Sequence, residues 1–140
     1  MKRLIILLVF LTTNLEAEIL LREHKGNYCY DGDTCYVEID GKIRDEKGNL
    51  LKIRLLELDT PEISKPKCED EKRLGLLAKE FINELIRKSV SIELKTDFKK
   101  DRYGRILSYL VIDGEDVSSQ IINNNLGVLY ERNNKKDWCS

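Results

Sequence analysis

Histidine is nearly missing from this 140-residue chain, with His24 the only one, and that excludes a multi-histidine metal site. The eight glycines form no Gly-rich run, so no P-loop is available to cradle a phosphate. With only two prolines, the chain is neither collagen-like nor of low complexity. Charge of one sign is also lacking: 24 Lys+Arg stand against 25 Asp+Glu. A strongly basic chain would argue for nucleic-acid binding by its overall field, so any such argument must rest on local residues here. The four cysteines contain no C-x-x-C pair, which makes structural zinc a poor reading. The longest apolar run, Leu4 to Leu11, is far short of the roughly 20 residues a bilayer span needs.

That run follows Lys2-Arg3 and leads to the small residue Ala17. A basic start, a short apolar stretch and a small residue describe a secretory signal over residues 1–17, with the domain over 18–140. The expected location is therefore outside the cytoplasm, periplasmic or extracellular. Cys29, Cys35, Cys68 and Cys139 all lie in the domain. An even count in an exported chain favours disulfides, and four cysteines allow three connectivities.

Residues 18–30 and 34–44 read as strands around Asp31-Gly32-Asp33, a turn signal, and Glu46 to Asn49 marks a second turn before an apolar segment, Leu50 to Leu58. Leu74, Leu77, Ala78, Phe81, Ile82, Leu85 and Ile86 recur at helical spacing. Glu69, Asp70 and Glu71 at the start of this helix and Arg87-Lys88 at its end suit the helix dipole. Val90 to Thr96 and Ile106 to Ile112 read as strands, Val117 to Asn124 as a short helix and Val128 to Tyr130 as a last strand. This order suits a small barrel with helices packed on it.

Three clusters carry chemistry. Asp31-Gly32-Asp33-Thr34 places two carboxylates in a tight turn, a source of hard oxygen ligands for Ca²⁺, although Asp-Gly is also an ordinary turn signal. Along Arg54 to Glu62, strand alternation puts Arg54, Leu56 and Leu58 on one face and Leu55, Glu57 and Asp59 on the other. Pro61 then biases Thr60 to an extended conformation, gathering Asp59, the Thr60 carbonyl and Glu62 about one point. Asp101 to Arg105, after Lys99-Lys100, offers cations and an aromatic that hold phosphate and stack on a base. Taken singly, the first and third clusters read better as an ordinary turn and a solvated loop, and the second reads equally as a strand followed by a proline turn.

Together, in this order and spacing, they resemble the staphylococcal nuclease (thermonuclease) family from about residue 19 to residue 130. The resemblance implies an α+β, mainly β fold: a five-stranded OB-type barrel with two or three packed helices. It implies a Ca²⁺-dependent phosphodiesterase, an endonuclease acting on DNA and/or RNA and leaving 3′-phosphate ends. Carried over by position, Asp33, Asp59 and the Thr60 carbonyl are the metal ligands, with Asp31 in support. Glu62 is the base or water-positioning group, Arg54 and Arg105 are the catalytic arginines, and Arg102 and Tyr103 bind substrate. No stable protein partner is expected, a monomer is, and the mature chain is expected to lack a membrane span. Residues 131–140 lack the apolar pattern of the third helix that the resemblance implies. A Cys68–Cys139 bridge would tie this tail to the domain and leave Cys29 and Cys35 to pair. Two other readings remain: a non-catalytic OB-fold module binding single-stranded nucleic acid, and an exported, disulfide-stapled interaction domain.

Overall fold

The computed structural model describes residues 16–140; the apolar run of the expected secretory signal lies outside them. The fold is mainly β, a nearly closed barrel with two helices. Its strands are β1 (Ile19–Leu21), β2 (Thr34–Ile39), β3 (Lys52–Leu55), β4 (Ile92–Lys95), β5 (Ile106–Ile112) and the short β6 (Glu115–Asp116). Helix α1 (Glu69–Arg87) lies between β3 and β4, and α2 (Val117–Asn123) follows β6. The sheet order is β1-β2-β3-β5-β4, with β6 on β5. All pairs are antiparallel except β3 with β5. Among the described residues no helix is long and apolar enough to cross a membrane.

β5 alternates strictly, with Ile106, Ser108, Leu110 and Ile112 buried, so its register is set by the core face. The first two predicted strands are shorter than the apolar content suggested. β1 stops at Leu21, and a turn at Lys25-Gly26, both at positive φ, follows it. β2 stops at Ile39 because Asp40-Gly41, with φ of 49° and 77°, turns the chain there as paired positive-φ residues do in hairpins.

α1 turns Gly75, Ala78, Ile82, Asn83 and Ile86 inward. Leu77, counted with the core face by spacing, is instead exposed. The buried face also includes Asn83, whose side chain accepts from the Tyr28 and Cys29 amides at 2.8 and 3.0 Å and donates to the Cys29 carbonyl at 3.1 Å. That network satisfies a buried amide and fixes the segment leading into Asp31. The helix starts at Cys68, whose sulfur accepts from the Glu71 amide. Cys68 is bonded to Cys139 and Cys29 to Cys35. Closing a loop of 71 residues restricts the unfolded chain by about 4 kcal/mol in the chain-entropy picture.

Two glycines let the loop after β3 sit tightly. A Cβ on Gly75 would meet the Pro61 carbonyl oxygen at 2.8 Å, and one on Gly32 would meet Thr60 Cγ2 at 2.7 Å. The first contact is with backbone, which cannot swing aside. Gly75→Ala is therefore expected to lower stability by about 1–3 kcal/mol despite the ~1 kcal/mol helix-propensity gain of alanine. Urea unfolding measures it, and a net gain in stability would show that the loop yields freely.

Candidate active site

The pairing registers bring the motif residues together. Thr34 stands opposite Arg54 across β2 and β3, and Arg54 opposite Leu107 across β3 and β5. The Asp33 carbonyl takes the Leu55 amide at 2.9 Å, so Asp33 is held at the mouth of the β2–β3 ladder. Its carboxylate is largely buried and heavily used. Oδ1 accepts from the Thr34 hydroxyl at 3.2 Å, and Oδ2 accepts from the Thr60 amide at 3.2 Å. Arg54 Nη1 pairs with Oδ2 at 3.2 Å, and Arg54 Nη2 lies 3.9 Å from Asp59 Oδ1.

That last contact corrects the alternation read from the sequence, which set Arg54 and Asp59 on opposite faces. β3 ends at Leu55, and Glu57 takes φ of 60°, a left-handed step that non-glycine residues seldom take. The step resets the phase, so Leu55 and Leu58 are both buried and Asp59 comes to the side of Arg54. Asp59 is then locked by two backbone hydrogen bonds of 2.9 Å exchanged with Val128. This isolated bridge is what remains of the strand expected over Val128 to Tyr130.

Arg105 reaches the site from the β4–β5 loop. Asp101 accepts from the Tyr103 and Arg105 amides at 2.9 and 3.0 Å, and its other oxygen takes Arg105 Nε at 2.7 Å. Arg105 Nη1 donates to the Thr34 hydroxyl at 3.0 Å. Thr34 thus accepts from Arg105 and donates to Asp33, linking the two arginines through one carboxylate. The sequence motifs alone assign no role to Thr34 or Asp101, although both lie within them; only contact in space shows what they orient. Arg102 and Tyr103 stay on the exposed loop. Arg102 donates to the Tyr103 hydroxyl at 2.6 Å, and the guanidinium carbons of Arg102 and Arg105 lie 4.8 and 5.5 Å from the ring centroid.

The carboxylates are crowded. Asp31, which accepts from the Asp33 amide at 3.1 Å, is pushed up to about 8, first by burial and then by the charge of Asp33. Asp59 is raised by burial and by Asp33, against the pull of Arg54 and Lys135. Glu62, at the rim of the groove and partly shielded from water, is raised by the same two causes, opposed by Lys135. All of these groups border one open groove, with Arg54, Arg105 and Tyr103.

No group of three or more His, Cys, Asp or Glu side chains encloses a metal position among the described residues. The donor chemistry nevertheless suits a hard cation, because two carboxylates and a backbone carbonyl are the oxygen ligands Ca²⁺ takes, with water or phosphate completing its shell. The mutual repulsion at Asp33 is also what a divalent cation would relieve. The Thr60 hydroxyl is buried without a hydrogen-bond partner among the described residues.

The profile of the family described as staphylococcal nuclease homologue matches residues 52–138. An uncharacterized protein of Methanocaldococcus jannaschii is 39% identical over 112 residues, covering 68% of this chain and 49% of its own length. Endonuclease YncB of Bacillus subtilis is 32% identical over 114 residues, 75% of this chain and 48% of the relative. The SPbeta prophage-derived endonuclease YokF of the same organism is 31% identical over 114 residues, 75% of this chain and 34% of the relative. The chain therefore spans about half or less of the length of these relatives.

A raised carboxyl costs the fold nothing below its unfolded pKa, where both states hold the proton. The cost grows as pH climbs toward the folded value. For Asp31 that window runs from 3.8 to about 8, and Asp59 and Glu62 act in the same direction. The thermal midpoint in chelator is expected to fall between pH 5 and pH 8, and added Ca²⁺ should raise it more at pH 8 than at pH 5. A Ca²⁺ increment independent of pH in calorimetry would contradict this.

Proposed function

The chain belongs to the staphylococcal nuclease family, and we propose that it is a Ca²⁺-dependent endonuclease that hydrolyses phosphodiester bonds of DNA and/or RNA. The observation that carries this reading is the convergence of Asp33, Asp59 and Glu62 with Arg54 and Arg105 on one groove, the arginines joined through Asp33 and Thr34. The relatives named as endonucleases support it, as does the way the motif residues meet in space.

Asp33, Asp59 and the Thr60 carbonyl would hold Ca²⁺, with Asp31 behind them. Bound there, the cation would supply positive charge that polarises the phosphate and acidifies water. Glu62 sits at the exposed rim and has a raised pKa, which brings a carboxylate nearer the range in which it accepts a proton from attacking water. That proton passes to Glu62 as the water oxygen bonds to phosphorus and the phosphorus–O5′ bond breaks. The departing oxygen takes a proton from solvent. Arg54 and Arg105 present planar forks to the non-bridging oxygens, and these bonds strengthen as charge accumulates in the transition state. Asp101 and Thr34 hold Arg105 in place beforehand, so little reorganisation is needed when substrate arrives. Arg102 and Tyr103 on the exposed loop would hold a terminal or neighbouring phosphate. Export over residues 1–17 is part of the proposal, supported by the engagement of all four cysteines in disulfides, which suits an oxidising compartment.

Hydrolysis of a single-stranded DNA oligomer tests the assignment. Activity should vanish in chelator. Glu62→Gln and Arg105→Ala should each lower kcat by about two orders of magnitude or more while the thermal midpoint stays near that of the parent. Equal activity in parent and variants would place the chemistry elsewhere. Calcium-dependent binding of the oligomer without cleavage would favour the non-catalytic OB-fold module.

A further inference from the structure

The chain leaves α2 and passes directly over the site. After the Asp59–Val128 bridge, the Tyr130 amide donates to the Glu57 carbonyl at 3.3 Å, and Arg54 lies 5.8 Å from the Tyr130 ring centroid. Residues 131–138 then run on without helix or strand until Cys139 bonds to Cys68, the residue that caps α1. This segment is therefore a strap fastened at both ends. Between the fastenings, Arg132, Asn133 and Lys135 line the same groove as Asp33, Arg54, Asp59 and Glu62.

Neither Arg132 nor Lys135 has an ion-pair partner among the described residues. Lys136 differs from its neighbour: its ammonium lies 5.3 Å from the Trp138 ring centroid, and it does not border the groove.

The floor of the groove is rich in carboxylates, and the chain as a whole carries a formal charge of −1. A polyanionic strand is thus not drawn in by the overall field and is repelled by the floor. Cations on the walls must offset that repulsion. Lys100, Arg102 and Arg105 border the groove from the β4–β5 loop. The strap supplies cations from a separate segment, held in place at little further entropic cost because both of its ends are tied.

We propose that the strap is a substrate-binding element, with Arg132 and Lys135 holding a phosphate of a single-stranded nucleic acid beside the scissile one and the Cys68–Cys139 bridge keeping them there. The proposal rests on the nuclease reading of the groove and adds a binding element to it. Lys135→Ala and Cys139→Ser are expected to raise KM for a DNA oligomer about fivefold or more with kcat within twofold, as loss of a charged phosphate contact does. Lys136→Ala, the control from the same strap, should leave KM unchanged. In a Glu62→Gln background, fluorescence anisotropy should show the slope of log affinity against log salt shallower by about 0.7 for Lys135→Ala, one phosphate contact on a single strand.

Unchanged KM and salt slope in Lys135→Ala would overturn the proposal and leave the strap a fold clamp, even if Cys139→Ser folds poorly. A parent that binds the oligomer with the Lys135-dependent salt slope but does not cleave it would sustain the strap and remove the nuclease reading. A parent that neither binds nor cleaves would remove both.

Discussion

The Asp33 carboxylate accepts from the Thr34 hydroxyl and the Thr60 amide while pairing with Arg54. Through Thr34 it reaches Arg105, and through Arg105 the loop organised by Asp101. One largely buried charge therefore joins β2, β3, the loop that carries Glu62 and the β4–β5 loop. A buried carboxylate is stable only when its oxygens are satisfied, and here each partner is a group the proposed chemistry needs in a fixed place. Removing Asp33 would do more than delete a proposed metal ligand, because two arginines and the Thr60 backbone would lose their common anchor.

The same concentration of charge opposes folding. Asp31, Asp59 and Glu62 are each desolvated near the charge of Asp33, so all three resist ionisation. Functional sites commonly hold charges that the fold alone would disfavour, and the scaffold around them must be rigid to keep them together. Rigidity here comes from contacts too close for a side chain. α1 meets the Pro61 carbonyl at Gly75, Gly32 lies under Thr60, and Val128 pairs with Asp59 on another side. The Asn83 network performs the equivalent task for the segment that enters Asp31.

Most of the secondary structure was legible because it obeys local rules. β5 reads as a strand from its nearly continuous apolar content over Ile106 to Ile112, and α1 begins at its acidic turn and ends at Arg87. The motif residues were legible as residue types at a spacing, and the structure brings Asp33, Asp59, Glu62, Arg54 and Arg105 to one groove. What could not be read was phase and linkage. The left-handed step at Glu57 moves Asp59 to the side of Arg54, and no hydrophobic period announces a change at a single residue. Thr34, Asp101 and Asn83 act through partners up to 71 positions away in the chain, whereas local patterns report only on neighbours. Leu77 shows the converse, since helical spacing alone cannot tell which edge of an apolar stripe will face solvent.

The tail shows how one covalent bond can stand in for a packed element. Residues 131–138 have too little apolar content to bury themselves as a helix, and the backbone there makes few internal bonds. Left free, such a segment would sample many positions, and its cations would contribute only a diffuse attraction to a nearby polyanion. Bonding Cys139 to the cap of α1 confines the segment without requiring it to bury apolar surface. The side chains between the fastenings then remain polar and available to the groove. A packed helix would instead orient part of its surface inward. Stability and substrate contact are thereby separated along ten residues: the disulfide carries the first, and Arg132 and Lys135 are left for the second.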